Sequence, residues 1–223
     1  MRIHELIVEG TAHPVIVVDV QPEYSRMNDG DKSPIFPQII NFVNKQTGLV
    51  LMFVNAEDQG LSGDTVADIK QYWNDTICPE EDRIAYDDKT DNYTENPGCP
   101  TINWSRFTIV DKGYGYFRAW MDRGIEESTI IATIRELYQQ KKSDSRELTF
   151  PSFSHRTPQQ SLIMGACQEM DDPLSVSWTS VGQLKRFNSA YLVGGGRNEC
   201  LREIELLMNA FNIRYKRIDR LVY

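Results

Sequence analysis

Hydrophobic positions along this chain follow two alternating patterns. The run Pro14-Val-Ile-Val-Val-Asp19 is almost continuously β-branched and ends on a polar residue, as a strand buried on both faces does. Leu49 to Asn55 repeats the pattern, an apolar run followed by polar Asn55, Glu57 and Asp58. Phe107 to Lys112 is a third such strand, and Tyr191-Leu-Val193, followed by Gly194-Gly195-Gly196, is a fourth. Between these strands apolar residues recur at helical spacing. Phe36 to Lys45 carries Ile39, Ile40 and Val43, and Asp64 to Trp73 carries Val66, Ile69 and Trp73. Glu126 to Gln140 sets Ile130, Ile131, Ile134, Leu137 and Tyr138 on one stripe with charges elsewhere. Glu199 to Asn212 places Leu201, Ile204, Met208 and Phe211 three and four residues apart. Strands alternating with helices imply βαβ units with right-handed crossovers. The expected fold class is therefore α/β, with three layers (α/β/α) around a mainly parallel sheet.

Two stretches break the alternation. Residues 77–104 are rich in Asp, Asn, Pro and Gly and read as a long loop with little regular structure. Residues 143–180 carry Pro151, Pro158 and Pro173, with a short helix from Gln159 to Glu169. Long loops in a compact domain are commonly functional. The expectation is one domain over residues 1–223 with insertions at about 77–104 and 143–180, since 223 residues at 40% hydrophobic content can bury a full core.

Charge and cysteine usage narrow the partners. A formal charge of −8 works against nonspecific attraction to nucleic acid or an anionic membrane. The cationic clusters Lys185-Arg186 and Arg214 to Arg220 read as solvated faces. No apolar run has the length of a membrane span, and Met1 to Gly10 lacks the order of a signal peptide. Cys78, Cys99, Cys167 and Cys200 are scattered without CxxC pairs, so a zinc ribbon is not expected and a disulfide scaffold is not needed at this size. These features point to a soluble protein of a reducing compartment, the cytoplasm, acting on a small molecule with neither nucleic acid nor membrane as partner.

Ligands of open α/β sheets bind outside the carboxyl ends of the strands, where strand order reverses. Three of the four strands deliver a reactive group there: Asp19, Lys112, and Cys200 just past the glycines. Cys200 opens the last amphipathic helix, where unpaired N–H groups and the helix dipole favour a thiolate and a lowered thiol pKa. The glycines free the backbone to aim N–H groups at an oxyanion, and Asn198 can cap the helix. Asp19 suits a general base and Lys112 an electrostatic support. Each also has a plain structural reading: a buried cysteine, a turn-capping aspartate, a solvated lysine.

Together the three match a pattern. Tyr191-Leu-Val-Gly-Gly-Gly-Arg-Asn-Glu-Cys200, with the helix that follows to Ile213, resembles the signature of the isochorismatase-like cysteine hydrolases. Val17-Val-Asp19-Val-Gln21-Pro-Glu-Tyr24 is similar to the aspartate motif of that family, and Ile109-Val-Asp-Lys112-Gly-Tyr-Gly-Tyr-Phe117 to its lysine motif. The resemblance implies an isochorismatase-type, Rossmann-like hydrolase fold with Cys200 as nucleophile, Asp19 as base and Lys112 as support. It also implies an oxyanion hole from the N–H groups of Gly196 and Cys200, and a cis peptide at Gly195-Gly196. Gln21, Tyr24, Gly195, Gly196, Arg197 and Phe117 would then lie around the substrate. Relatives of this kind often assemble as dimers or larger, so a homo-oligomer is one expectation.

The sequence also departs from the pattern. The nicotinamidase branch builds a metal site from Asp-x-His and a further His after the second strand, whereas Asn55-Ala-Glu57-Asp58 stands here and His4, His13 and His155 lie elsewhere. No metal site and no cofactor are expected, and nicotinamide is a poor guess. Arg197 stands where a small or branched residue is usual, and either reads an anion in the pocket or reaches solvent. Tyr72, Trp73, Trp104, Tyr114, Tyr116, Trp120 and Trp178 could wall a planar substrate or fill the core. The leading expectation is a metal-independent hydrolase of a small amide or related C–N bond. Vinyl-ether cleavage through Asp19 and an inactive binding scaffold are its rivals, and a nucleotide-binding Rossmann protein is disfavoured because the glycines lack GxGxxG spacing.

Overall fold

The computed structural model describes residues 12–26, 35–55, 63–112, 116–143 and 178–223, together with residues 158, 161 and 163. Its centre is a five-stranded sheet. Four strands are the apolar runs of the sequence: β1 Val15–Val18, β2 Val50–Val54, β5 Phe107–Asp111 and β6 Ser189–Gly194. A fifth, β7 Arg214–Arg217, lies at one edge. The order is β5-β2-β1-β6-β7, and every pairing within it is parallel. The chain winds outward from β1 through β2 to β5, then returns to the other side of β1 for β6 and β7. Strand order therefore reverses between β1 and β6.

Alternation along the strands feeds two cores. Ile16, Val18, Leu51 and Phe53 face one apolar cluster with α4 Tyr116–Asp122, α5 Glu127–Ser143, α6 Trp178–Leu184 and α7 Cys200–Ala210. Val15, Val17, Val50 and Met52 face the other, with α2 Ile35–Lys45 and α3 Val66–Ile77. A short α1 Pro22–Arg26 follows β1. Parallel strands covered on both faces must be apolar throughout, which is why β1 and β2 are wholly buried. Helix α3 starts at a capping box, in which the Thr65 hydroxyl accepts from Asp68 N–H at 3.1 Å and the Asp68 carboxylate from Thr65 N–H at 3.0 Å.

The loop expected over 77–104 is more ordered than the sequence implies. It contains an antiparallel hairpin, β3 Ile84–Asp87 with β4 Asn92–Glu95, flanked by 3-10 turns at Glu80–Asp82 and Trp104–Arg106. Its base is closed by a Cys78–Cys99 disulfide, which sits badly with the expectation of a reducing compartment. Most of 143–180, including Cys167 and the expected helix from Gln159 to Glu169, lies outside the described residues, as do Glu57 and Asp58. Among the described residues no helix is long and apolar enough to cross a membrane.

Candidate active site

The reversal point between β1 and β6 gathers the three expected residues. Asp19 follows β1 directly. Its N–H continues the sheet ladder to Phe53 O at 2.9 Å, and its φ of +54° turns the side chain back across the strand ends. Left-handed backbone is uncommon for residues other than glycine, but Asp tolerates it better than most. Lys112 follows β5, with its N–H on Val54 O at 3.0 Å. Because β2 separates β5 from β1, roughly 10 Å must be crossed, and the lysine stem is long enough to cross it. Lys112 Nζ reaches Asp19 Oδ2 at 2.7 Å and Cys200 Sγ at 2.9 Å.

Cys200 is the first residue of α7, delivered by the glycine turn. Gly194 and Gly195 both have left-handed backbone, at φ +79° and +65°. A Cβ on Gly194 would stand 2.3 Å from Val18 O, so only glycine lets β6 turn this tightly against β1. Gly196 O accepts from Glu199 N–H at 3.0 Å and Leu201 N–H at 3.3 Å. The N–H groups of Gly196 and Cys200 take no acceptor among the described residues, so both remain available to an oxyanion. Two expectations fail here. The described peptide bonds are all trans, so Gly195-Gly196 is not cis. Glu199, not Asn198, is the cap residue of α7, and it makes no side-chain capping bond.

The electrostatics overturn a third. The Cys200 thiol is not lowered; it is pushed up to about 12, first by burial and then by the Asp19 carboxylate. Lys112 pulls the other way and loses. A helix N-terminus favours the thiolate, but a half-buried sulfur beside a carboxylate feels two stronger opposing effects. At rest the site thus holds a protonated thiol beside the Lys112 ammonium. Burial alone would lower the pKa of Lys112, yet Asp19, Cys200 and Tyr24 together hold it above its ordinary value. Asp19 is only 1% exposed, and its Oδ1 is buried with no hydrogen-bond partner among the described residues.

The other expected residues divide. Tyr24 reaches the centre: its ring lies 5.9 Å from Lys112 Nζ, and burial with Asp19 raises its phenol to about 12. Gln21 is elsewhere engaged. Its amide spans the Asn55 backbone, donating to O at 2.8 Å and accepting from N–H at 2.9 Å, and it touches Asp64 Oδ2 at 3.3 Å. It therefore prolongs the pairing of β1 with β2 beyond their ends. Phe117 is 4% exposed against Trp120, in the same apolar cluster on which Cys200 packs. Arg197 leaves the site and pairs with Asp219 on the surface at 3.5 Å. Of the expected aromatic walls, Trp73 is fully buried and donates to Val20 O at 2.8 Å, and Trp120 is fully buried as well. The side chains of Tyr114, Tyr116 and Trp178 lie outside the described residues.

Tyr223 was not expected and belongs here. Its hydroxyl donates to Asp19 O at 2.8 Å. Its backbone grips the glycine turn, N–H on Gly195 O at 3.2 Å and O accepting from Arg197 N–H at 2.8 Å. One residue thus ties the Asp19 loop to the glycine turn. Burial and then Asp19 raise its phenol pKa. No motif marks it in the sequence. Comparison of the chain with protein-family models, with curated proteins and with solved structures returns no match.

Proposed function

We propose that this chain is a cysteine hydrolase of the isochorismatase-like kind, cleaving an amide or related C–N bond of a small molecule without a metal. The observation that carries the reading is the placement of Lys112 Nζ, 2.7 Å from Asp19 Oδ2 and 2.9 Å from Cys200 Sγ. A lysine that merely neutralised a buried carboxylate would not also need a sulfur.

The mechanism follows from the resting charges. The Asp19 carboxylate takes the thiol proton as Sγ attacks the substrate carbonyl, while Lys112 stabilises the developing thiolate. The Gly196 and Cys200 N–H groups hold the oxyanion of the tetrahedral intermediate. The intermediate collapses, the C–N bond breaks, and the proton on Asp19 passes to the departing nitrogen. Water then gives a proton to Asp19 and attacks the thioester, releasing the acid and restoring the thiol. Because the thiol is pushed up to about 12, transfer to Asp19 accompanies attack and no standing thiolate precedes it.

The test is turnover across a panel of small amides, ureides and vinyl ethers. Cys200→Ala should abolish hydrolysis of C–N substrates, with an acyl-enzyme mass trapped on Cys200 in the wild type. Cleavage of a vinyl ether that survives Cys200→Ala and is lost in Asp19→Asn would instead indicate chemistry at Asp19 alone. Absence of turnover on every class, with an inert Cys200, would leave a binding scaffold.

A further inference from the structure

Hairpin β3–β4 is built inside out. Its register sets Ile84 opposite Glu95 and Tyr86 opposite Tyr93, so these four share one face. That face looks into solvent: Ile84 is 60%, Tyr86 50% and Tyr93 71% exposed. The two tyrosine rings stack edge to face at 5.4 Å. A lone two-stranded hairpin is marginal in water, and this one is held by the Cys78–Cys99 disulfide and by Arg83, which binds Asp75 and Cys78 O. A stapled protrusion offering aromatic side chains is the form of an interface anchor. Between residues 79 and 99 stand seven carboxylates (Glu80, Glu81, Asp82, Asp87, Asp88, Asp91, Glu95) against Arg83 and Lys89. Two such hairpins repel one another. The surface that takes this face must be cationic.

The same chain carries such a surface. A cleft of about 250 Å³ at the β6–β7 edge is lined by His13, Ser189, Tyr191, Arg214, Tyr215 and Lys216. Register pairs Ser189 with Arg214 and Tyr191 with Lys216, so these four share a face. Arg214 is exposed, and its side chain makes no ion pair among the described residues. The hairpin leads into β5, at the opposite edge of the sheet from β7. Four inter-strand steps, about 19 Å, separate the two edges. Knob and cleft therefore stand at opposite edges of the sheet, and a contact between them would be one between copies of the chain.

We propose that copies associate head to tail, the acidic aromatic hairpin of one seating in the cationic β6–β7 cleft of the next. Arg214 faces the carboxylates, and its guanidinium stacks on a tyrosine ring. The open edge of β7 is covered by the neighbour. Such a contact is heterologous: each copy leaves one hairpin and one cleft unused, so assembly grows into a ring or a chain.

Sedimentation velocity on the full chain, in a dilution series at low and physiological salt, tests this. The wild type should show concentration-dependent mass above the monomer that salt dissociates. Tyr86→Ser/Tyr93→Ser blocks the knob and Arg214→Glu the cleft, and each should weaken association by about tenfold or more. Mixed in equal amounts, the two variants should form a dimer and nothing larger. Asp88→Lys/Glu95→Lys serves as a second knob variant if the tyrosine pair misfolds, with circular dichroism reporting the fold. A wild type that stays monomeric overturns the proposal and leaves the two surfaces to another protein or to solvent. Either single variant associating as the wild type does, or a mixture that stays monomeric, overturns it too.

Discussion

The carboxyl ends of β1 and β6 bury charge, whereas hairpin β3–β4 exposes apolar rings. Each inverts what folding alone favours. At the sheet ends an ammonium, a carboxylate and a thiol share a space in which Asp19 is 1% exposed. On the hairpin, Tyr93 is 71% exposed while its strand contributes nothing to either core. The two regions are also held differently. The buried site is fixed by the sheet ladder, by glycines that no side chain can replace, and by Tyr223. The hairpin is fixed at its base by the Cys78–Cys99 bond, by Arg83 and by Asn96, which donates to Arg83 O and Asp82 O. Perturbing the first should therefore cost activity and stability together; perturbing the second should cost stability and leave chemistry alone.

The largest effect should come from Asp19→Asn, which also separates the two explanations of Cys200. Removing the carboxylate removes a cause that holds the thiol near 12 and leaves burial alone to oppose the Lys112 ammonium. The thiol pKa should fall, and alkylation of Cys200 by iodoacetamide at pH 8 should quicken, about tenfold for each pKa unit recovered. Turnover should drop by about 10²–10⁴-fold, the typical worth of a positioned base. A variant in which reactivity and turnover fall together would mean that Asp19 does not oppose the thiolate. In the wild type the same raised pKa has a stability signature. Folding favours the protonated thiol, so that contribution is complete below about 9, the unperturbed value, and is lost as pH rises towards about 12. Cys200→Ala should flatten the alkaline limb of the stability curve.

Lys112→Met comes next. It leaves the Asp19 carboxylate buried without its cation, which costs about 3–5 kcal/mol when one partner of a buried pair is removed. Urea unfolding at pH 7 reads it, and a loss under about 1 kcal/mol would show that water already screens the pair. The double variant Asp19→Asn/Lys112→Met should recover part of that loss, because no uncompensated charge is left behind.

For the hairpin the contrast predicts a separation. Cys78→Ser/Cys99→Ser opens a loop of 21 residues and should cost about 3 kcal/mol at most by the chain-entropy estimate. Turnover at Cys200 should stay at the wild-type level, since the disulfide lies at the far end of α3. Lost turnover in a folded variant would join the two regions that the geometry keeps apart.

The sequence revealed these regions unequally, for physical reasons. Strands β1, β2, β5 and β6 are legible because a strand covered on both faces must be an unbroken apolar run, and Asp19, Lys112 and Cys200 stand where such runs end. Strand β7 is an edge of the sheet with the sequence Arg-Tyr-Lys-Arg, and its cations read as a solvated face. The hairpin escaped because its apolar residues face water, so no core-facing alternation announces it. Cysteine spacing does not specify a partner, and the Cys78–Cys99 bond was not readable. The sign of the Cys200 shift failed differently. Its place at a helix start was legible, but its burial and its distance to Asp19 are tertiary quantities, and they outweigh the helix dipole. Gln21 shows the same limit: it stands two residues past Asp19 in sequence, and only the tertiary structure shows that its amide is spent on Asn55.

Tyr223→Phe should have the smallest effect and is the sharpest probe of how the buried site is held. The substitution removes one hydroxyl that donates to Asp19 O at 2.8 Å and keeps the ring that packs on Phe36 at 5.1 Å. Loss of a single such bond costs about 1 kcal/mol in thermal unfolding. If the tyrosine only fills space, the kinetic constants should not move. If it positions Asp19, whose left-handed backbone needs an external tie, kcat should fall several-fold with KM unchanged, because the thiol proton is then received from a poorer geometry. The pH dependence of Cys200 alkylation should shift as well, since the carboxylate would no longer sit at a fixed distance from the sulfur. Tyr223→Leu, which removes ring and hydroxyl together, should lower stability further. Equal kcat in Tyr223→Phe and wild type would leave Asp19 positioned by its N–H bond to Phe53 and by Lys112.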